Sequence, residues 1–208
     1  MKKQTLVLLF VIFALIFISI YFAFQMNHPR IRQIQPIQNP AWSVCFSPEG
    51  GCTKNIVNAL EQAKSSVLVQ AYSFTSEPIA NALIDAKKRG AKVDVILDRS
   101  QVRVKRGQVN HLVEAQIPVN IDAAHSIAHN KVMVIDHAVV ITGSFNFTTD
   151  AALYNAENLL IITDTNLASQ YAENWQEHKE HSKPYETWLS MDAVKQSRNK
   201  KRSEIKQF

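Results

Sequence analysis

A short segment near the middle of the chain carries the side chains best suited to chemistry. His129 and Lys131 lie close together, Asp136 follows, and Gly143-Ser144-Phe145-Asn146 and Glu157 come next. A neutral imidazole is a competent nucleophile near pH 7, because its reference pKa is about 6.5. An ammonium group with amide and hydroxyl donors would stabilise the charge that develops on a reacting phosphodiester. The residue types therefore favour nucleophilic chemistry at phosphorus.

Strand alternation predicts which of these side chains share a face. His129 and Lys131 point the same way along a strand, because side chains alternate between the two faces. If residues 136–137 form a two-residue hairpin turn, Lys131 lies opposite Thr142 and His129 lies opposite Ser144. Paired residues share a face, so the imidazole, the ammonium and the hydroxyl are expected to converge.

Three further polar side chains are assigned from the same geometry. Asn146 follows Ser144 on the same side and supplies an amide. Glu157 is a candidate partner for the far ring nitrogen of His129, where a carboxylate would fix the tautomer that attacks. Asp136 points away from the cluster, so a mainly structural role is expected for it.

Zinc binding is the alternative interpretation of the histidines in this segment. His125 and His129 form an H-x-x-x-H pattern, but the glutamate of H-E-x-x-H is absent and the context is a strand. We therefore expect no metal and no other cofactor. The remaining histidines are expected to be surface or packing residues, namely His28, His111, His137, His178 and His181.

The N-terminal segment differs in composition from the rest of the chain. Leu6 to Phe24 is an uncharged apolar run preceded by Lys2 and Lys3. About 20 apolar residues suffice for a helix to span a bilayer, and Ala23-Phe24-Gln25 is a poor cleavage site. Residues 1–26 are therefore predicted to be an uncleaved membrane anchor, with a cleaved signal peptide as the alternative.

The same segment predicts export. Lysines before the span favour a cytoplasmic N-terminus and a domain that faces the periplasm from the inner membrane, although Arg30 and Arg32 weaken this bias. A cleaved signal would instead give a periplasmic or secreted protein. Cys45 and Cys52 could close a small disulfide loop in an oxidising compartment, or they could remain thiols.

The basic charge of the chain suits an anionic substrate. The formal net charge is +5, and residues 183–208 form a basic tail that is predicted to be disordered. The tail could contact nucleic acid or anionic lipid, or it could simply be solvated. A polar loop at residues 98–107 could grip a nucleic-acid backbone through its basic side chains, which are Arg99, Arg103, Lys105 and Arg106.

The elements around the site predict one α/β domain at residues 42–182, after a linker at residues 27–41. Residues 67–74 and 93–97 are expected to be parallel strands joined by a right-handed helical crossover. Further strands are expected at residues 119–121, 131–135, 139–142 and 158–162, with helices at residues 109–115 and 165–180. The expected fold is a mixed β-sheet flanked by helices.

The spacing H-x-K-x-x-x-x-D followed by G-S-x-N resembles the HKD motif of the phospholipase D superfamily. The similarity to small, single-motif bacterial endonucleases of the Nuc type covers roughly residues 42–180. It is carried by Phe46-Ser47-Pro48, Ala71 to Thr75, Ala86 to Gly90, Gly143 to Thr148 and Ala156-Glu157-Asn158. The resemblance implies a phospholipase D-like fold and a metal-independent phosphodiesterase with a phosphohistidine intermediate.

The resemblance also implies roles for individual residues. His129 would be the nucleophile or acid, and Glu157 would orient it. The implied catalytic set is His129, Lys131, Asp136 and Glu157, and the implied phosphate-binding set is Lys131, Ser144 and Asn146. In this family the motif aspartate is mainly structural, which agrees with the direction of Asp136.

The function predicted from the sequence is a nonspecific endonuclease that hydrolyses DNA, with RNA as a further substrate. The alternative is a phospholipase D or cardiolipin-type hydrolase at the membrane surface, and a non-catalytic binding module is disfavoured because every catalytic position is filled. A single H-x-K-x-x-x-x-D motif also predicts a homodimer with a shared active site, since displacement at phosphorus needs a nucleophile and an acid on opposite sides. A monomer that uses His125 as the acid is the alternative.

Overall fold

The computed structural model describes residues 41–191 and, from the N-terminal segment, Phe17. The chain divides into two compact units, Met1–Pro36 and Ile37–Phe208. Phe17 is helical and exposed. The predicted anchor and the distal part of the basic tail otherwise lie outside the described residues. Among the described residues, no helix has the length and apolar character needed to cross a bilayer.

A mixed sheet of eight strands forms the centre of the second unit. The strands are β1 (Ala41–Ser47), β2 (Ser66–Ala71), β3 (Lys92–Asp98), β4 (Val119–Asp122), β5 (Lys131–Ile135), β6 (Val139–Gly143), β7 (Glu157–Thr163) and β8 (Lys183–Pro184). Their order across the sheet is β1-β7-β6-β5-β2-β3-β4-β8. Strands β2, β3 and β4 are mutually parallel, and the other neighbours are antiparallel. The predicted parallel pair is therefore confirmed.

Helices flank the sheet in the described part of the chain. They are α1 (Cys52–Glu61), α2 (Glu77–Lys88), α3 (Val109–Glu114), α4 (Thr149–Leu153) and α5 (Thr165–His181), with a 3₁₀ turn at Arg99–Arg103. Residues 185–191 are also helical, and Tyr185 is buried. Order therefore extends beyond the domain boundary that the sequence predicts at residue 182, because Tyr185 packs into the core and donates a hydrogen bond to Asn110.

Alternating strand residues divide the apolar interior into two cores. The larger core joins β2 and β3 to α1, α2 and α3, and includes Val67, Val69, Val95, Ile56, Leu83 and Leu112. The smaller core lies under α5 and includes Val132, Val134, Val140 and Ala168. Trp175 of α5 donates its indole N–H to the carbonyl of Val69 at 2.9 Å. Helix α5 is thereby fixed on the central strands that lead to the site.

The hairpin between β5 and β6 differs from the predicted two-residue turn. Ile135 pairs with Val139, so Asp136, His137 and Ala138 all lie in the connection. Asp136 and His137 have φ values of 53° and 51°. The N–H of Ala138 donates to the carbonyl of Ile135 at 3.0 Å. The connection therefore contains three residues rather than two.

This longer connection shifts the register of the hairpin by one residue. Val132, not Lys131, pairs with Thr142. The predicted Lys131–Thr142 pair is therefore wrong, and with it the predicted placement of Ser144 directly opposite His129. Because one residue of register exchanges the two faces of a strand, the position of Ser144 has to be explained by the backbone that follows β6.

Strand β1 lies in a segment for which the sequence predicted no strand. It pairs along its whole length with β7, from Ala41 opposite Thr163 to Ser47 opposite Glu157. A disulfide joins Cys45 of β1 to Cys52 at the start of α1, with Cα atoms 5.7 Å apart. The disulfide that the sequence allowed is therefore present, and it links the edge strand to the helical layer.

Candidate active site

His129 lies just before β5, with its side chain exposed. The Nζ atom of Lys131 is 3.2 Å from His129 Nδ1 and 2.9 Å from its carbonyl oxygen. The N–H of Tyr72 donates to the carbonyl of Asn130 at 2.8 Å, which continues the β2–β5 pairing towards His129. The structure thus brings the imidazole and the ammonium together, as strand alternation predicted.

Tyr72 also lies at the site, although it was assigned no individual role from the sequence. Its ring centroid is 4.4 Å from that of His129, and Lys131 Nζ is 5.1 Å from the Tyr72 centroid. The tyrosine comes directly after Ala71, the residue that pairs with Lys131. The signal available in the sequence was this position at the end of a buried strand beside the motif strand.

Lys131 is the buried positive charge of the site. Only 6% of the surface of Lys131 is exposed to solvent. Burial lowers the pKa of Lys131 from its ordinary value, and the carboxylate of Glu157 opposes this shift. Glu157 itself accepts a hydrogen bond from the Asn155 side chain at 3.1 Å. The lysine and the glutamate therefore act on each other electrostatically across the site.

The predicted contact between Glu157 and His129 is not formed in this state. Within residues 41–191, no hydrogen bond joins the two side chains, and Nδ1 of His129 faces Lys131 instead. A lysine ammonium that donates to Nδ1 leaves the proton of a neutral imidazole on Nε2. The role of Glu157 in fixing the tautomer of His129 therefore stays a prediction.

Ser144 is positioned by a break in β6 rather than by strand pairing. Gly143 has a φ of 149°, and a Cβ atom there would lie 2.3 Å from the carbonyl oxygen of Asn158. The N–H groups of Ser144 and Phe145 both donate to that carbonyl. The hydroxyl of Ser144 accepts the N–H of Asn158 at 3.0 Å. Glycine is required at residue 143 because the two backbones approach so closely.

Asn146 presents an amide that has no protein partner among the described residues. Its Oδ1 atom is buried and unbonded. The neighbouring backbone is fixed, because the carbonyl of Phe147 accepts the N–H groups of Thr75 and Ser76. A buried polar group without a partner in the protein is a candidate contact for a ligand. The phosphate-binding role of Asn146, which would use its amide N–H groups, stays a prediction.

Asp136 sits at the other end of β5 and serves the fold. Its Oδ1 accepts the N–H groups of Ser65 and Ser66 and the Ser65 hydroxyl, and its Oδ2 accepts the N–H of Lys64. Burial alone would raise the pKa of Asp136, but these donors, Ser66 foremost, lower it to about 2. The carboxylate therefore clamps the β5–β6 hairpin to the α1–β2 connection, as expected of a structural residue.

Asp98 supports the loop before His129 and was not identified from the sequence. This buried carboxylate accepts the N–H of Ala128 at 2.8 Å on one oxygen and that of Ser100 at 2.8 Å on the other. Arg99 donates to the carbonyl of Ser126 at 3.0 Å. The start of the basic 98–107 loop is thus bound to the segment that carries His129. An aspartate at the carboxyl end of a parallel strand was the available signal.

Comparison with known proteins places this geometry among phosphodiesterases. The family model described as "Cardiolipin synthase, PLD-like domain" matches residues 56–179. A phospholipase D of Rickettsia conorii is 45% identical over 157 residues, which cover 76% of this chain and 77% of that protein. A mitochondrial cardiolipin hydrolase of Xenopus laevis is 32% identical and covers 70% of this chain and 72% of that protein.

Solved structures show the same relationship. The crystal structure of a phospholipase D family member, Nuc from Salmonella typhimurium, superposes with a TM-score of 0.68 at 35% identity. The superposition covers 71% of this chain and 99% of that one. The described fold therefore occurs in a phospholipase D family member of known structure.

Proposed function

The chain belongs to the phospholipase D superfamily and is a phosphodiesterase of that superfamily, and we propose that it is a nonspecific endonuclease that hydrolyses DNA and also RNA. The observation that carries this proposal is the pairing of exposed His129 with the buried ammonium of Lys131 at 3.2 Å. The imidazole supplies a nucleophile, and the ammonium supplies a fixed positive charge for the phosphate.

Substrate binding would convert the resting arrangement into a reactive one. The phosphate oxygens would draw the Lys131 ammonium away from Nδ1, and the amide of Asn146 would donate to the same group. Once Nδ1 is released, the imidazole would change tautomer through solvent: Nε2 loses its proton, and Nδ1 takes one up and donates it in a hydrogen bond to Glu157. The Nε2 lone pair is then free to attack phosphorus. A buried cation is effective here because a low local dielectric strengthens its interaction with developing negative charge.

The reaction would proceed in two displacements. His129 Nε2 forms a bond to phosphorus while the bond to the leaving oxygen breaks, and an acid on the opposite side protonates that oxygen. The acid, now a base, then removes a proton from water, which attacks the phosphohistidine and regenerates His129. No metal takes part in these steps, since Lys131 and Asn146 bind the phosphate oxygens.

The second acid and base would come from a second copy of the chain. Only His129 to Asp136 matches the full H-x-K-x-x-x-x-D motif, and a two-fold axis would place His129 of each copy on opposite sides of one phosphate. Three exposed apolar side chains border the Glu157 end of β7 and offer surface for such a contact, namely Phe46, Leu153 and Tyr154. A homodimer with a shared site is therefore part of the proposal.

The choice of nucleic acid over lipid rests on the basic 98–107 loop. Arg99 ties the start of this loop to the segment before His129, and Lys105 and Arg106 are exposed further along the same loop. Basic side chains that follow a phosphate backbone give sequence-independent affinity. Phospholipid is the second candidate, because relatives are a phospholipase D and a cardiolipin hydrolase, and because Leu153 and Tyr154 are exposed beside the site.

The proposed location is the periplasmic side of the inner membrane, through an anchor at residues 1–26. A cleaved signal, which would release the domain, is the alternative. The Cys45–Cys52 disulfide supports an oxidising compartment, since such bonds are rare where thiols are kept reduced. Blocking free thiols in intact cells before lysis would test this, and a freely alkylated Cys45–Cys52 pair would contradict export.

A direct substrate comparison tests the proposed function. The full chain in detergent is incubated at low temperature with plasmid DNA, labelled RNA and cardiolipin vesicles, with and without EDTA, beside a His129→Ala control. Cleavage of DNA and RNA that persists in EDTA and is absent in the control is expected. Hydrolysis of cardiolipin with intact nucleic acids would overturn the nuclease assignment in favour of the phospholipase.

A further inference from the structure

A second cluster of chemically capable side chains lies outside the catalytic residues. Asp122 ends β4, His125 lies in the β4–β5 connection, and His178 and His181 occupy the last turn of α5. One donor atom from each of the four lies within 4.8 Å of the others. The sequence interpretation treated His178 and His181 as surface or packing residues and considered His125 only with His129, because residues from two distant parts of the chain form the cluster.

The three imidazoles converge on a single carboxylate oxygen. Asp122 Oδ2 is 2.6 Å from His178 Nδ1, 3.2 Å from His181 Nε2 and 3.4 Å from His125 Nδ1. The other oxygen of Asp122 already accepts the N–H of Ala124 at 3.0 Å. Three ring nitrogens are thus grouped around one carboxylate oxygen, which is more than its two lone pairs.

The donor set fits one metal ion of the zinc type. Three imidazole nitrogens and one carboxylate oxygen suit Zn²⁺, whereas Mg²⁺ and Ca²⁺ prefer oxygen ligands throughout. Zinc bonds of about 2.0–2.1 Å place tetrahedral ligand atoms roughly 3.3 Å apart. Side-chain movements of roughly 1–1.5 Å would therefore bring the four donor atoms to bonding positions.

The fold favours a cation at this place. His178 and His181 are three residues apart and so face the same side of α5. They lie at the helix C-terminus, where the helix dipole favours positive charge. The Asp122 side chain is fully buried, while those of His125 and His181 are 49% and 36% exposed. The carboxylate is thus fixed, and the exposed rings leave a path for an ion to enter.

We propose that Asp122, His125, His178 and His181 bind one Zn²⁺ ion in a structural site separate from the catalytic cluster. Four protein ligands fill a tetrahedral site and leave no open position, which is the arrangement of structural rather than catalytic zinc. The ion would join β4 to the end of α5 and fix the connection that runs from Asp122 to His129. Arg99 and Asp98 hold the same connection through Ser126 and Ala128.

Metal analysis of the untagged full chain tests the site directly. Protein stripped with a chelator is dialysed against buffer, titrated with Zn²⁺ or Co²⁺ and followed by thermal melting. We expect one Zn²⁺ per chain, a rise of several °C in Tm, and the intense visible absorption of four-coordinate Co²⁺. These readouts do not depend on phosphodiesterase activity. A failure of the proposed zinc site can therefore be distinguished from a failure of the proposed function.

Two variants and a matched histidine control complete the test. His178→Gln and His181→Gln should each weaken Zn²⁺ binding at least 100-fold and remove the Tm response. His111→Gln changes a histidine of α3 that contacts Asn81 rather than the cluster, and it should bind as the wild type does. If a variant does not fold, the Co²⁺ spectrum of the wild type still tests the site, because Co²⁺ bound by imidazoles absorbs differently from hydrated Co²⁺. Wild-type protein that shows neither a Tm response nor a Co²⁺ band would overturn the site.

Discussion

At the scale of single residues, the burial of Lys131 determines how its positive charge can act in the site. It is almost fully buried, contacts Nδ1 and the carbonyl of His129, and lies over the ring of Tyr72. Burial lowers its pKa, while Glu157 favours the charged form. Glu157 therefore favours the charged lysine, and its proposed second task is to accept a hydrogen bond from Nδ1 of His129.

Removing this charge should abolish most of the activity without unfolding the protein. Lys131→Met preserves the length of the side chain but removes the cation that binds the phosphate. We expect kcat to fall by about 10²- to 10³-fold, a loss of the size seen when one preorganised electrostatic group is deleted. Lys88→Met is the matched control, because Lys88 is exposed and pairs with Asp85. Equal activity in the two variants would contradict the role of Lys131.

Asp136, the aspartate of the same motif, stabilises the fold. Its contribution to the free energy of unfolding depends on pH in a defined direction. The pKa of Asp136 is lowered to about 2 from 3.8. A lowered folded-state pKa stabilises the protein above the unfolded value, and this contribution is lost as the pH falls from about 4 towards 2. Asp136→Asn should therefore lower the free energy of unfolding by about 1–2 kcal/mol at pH 7.

Urea denaturation at pH 7 and at pH 3 measures that difference. The gap between wild type and Asp136→Asn should shrink at the lower pH, and kcat of the folded variant should stay within a few-fold of wild type. Asp85→Asn, at an exposed position in α2, provides the control. A variant with normal stability and no turnover would instead assign Asp136 to the chemistry.

At the scale of elements, strands with strong local signals were predictable from the sequence. Strand β5 has the predicted limits, and β2 and β3 form the predicted parallel pair, because their apolar runs are bounded by helix start and stop signals. The β5–β6 register was not predictable, since nothing local showed that Ala138 joins the turn. Strand β1 was missed because its exposed residues, such as Trp42 and Phe46, do not form a buried run.

The site shows the same division between local and distant information. His129 and Lys131 share a strand face, so their contact follows from local periodicity. The proximity of Asp98 to Ala128 and of Asp122 to His178 depends on how β3, β4 and α5 pack. Contacts between residues on different strands and helices cannot be read from the sequence pattern of one element. They become visible only in the folded structure.

The support of the His129 segment by β3 leads to a prediction at this scale. Asp98→Asn removes the charge that binds the N–H groups of Ala128 and Ser100. We expect faster amide exchange at residues 126–129 and a kcat lowered by about tenfold with KM little changed, because a displaced nucleophile affects the chemical step. Asp94→Asn in the same strand breaks a pair with Lys179 instead and should not alter exchange there. Unchanged exchange in Asp98→Asn would show that the carboxylate does not position the loop.

At the scale of the whole molecule, the proposed shared site would make activity a property of the dimer, because each chain supplies one H-x-K-x-x-x-x-D motif. If His129 of both copies flank one phosphate, a dimer with a single intact histidine cannot complete both displacements. Wild-type chains mixed with an excess of His129→Ala chains and allowed to exchange should lose activity roughly as the square of the wild-type fraction. A linear fall, or full activity of a monomer in sedimentation, would reject the shared site.

The covalent intermediate on His129 is the most direct test of the account. The full-length protein is mixed rapidly with a short oligonucleotide, quenched in alkali to preserve the phosphorus–nitrogen bond, digested and analysed by mass spectrometry. We expect a phosphoramidate adduct on the peptide that contains His129, formed and lost at rates compatible with turnover and absent from His129→Ala. Turnover by the wild type without any adduct, or an active His129→Ala protein, would contradict it.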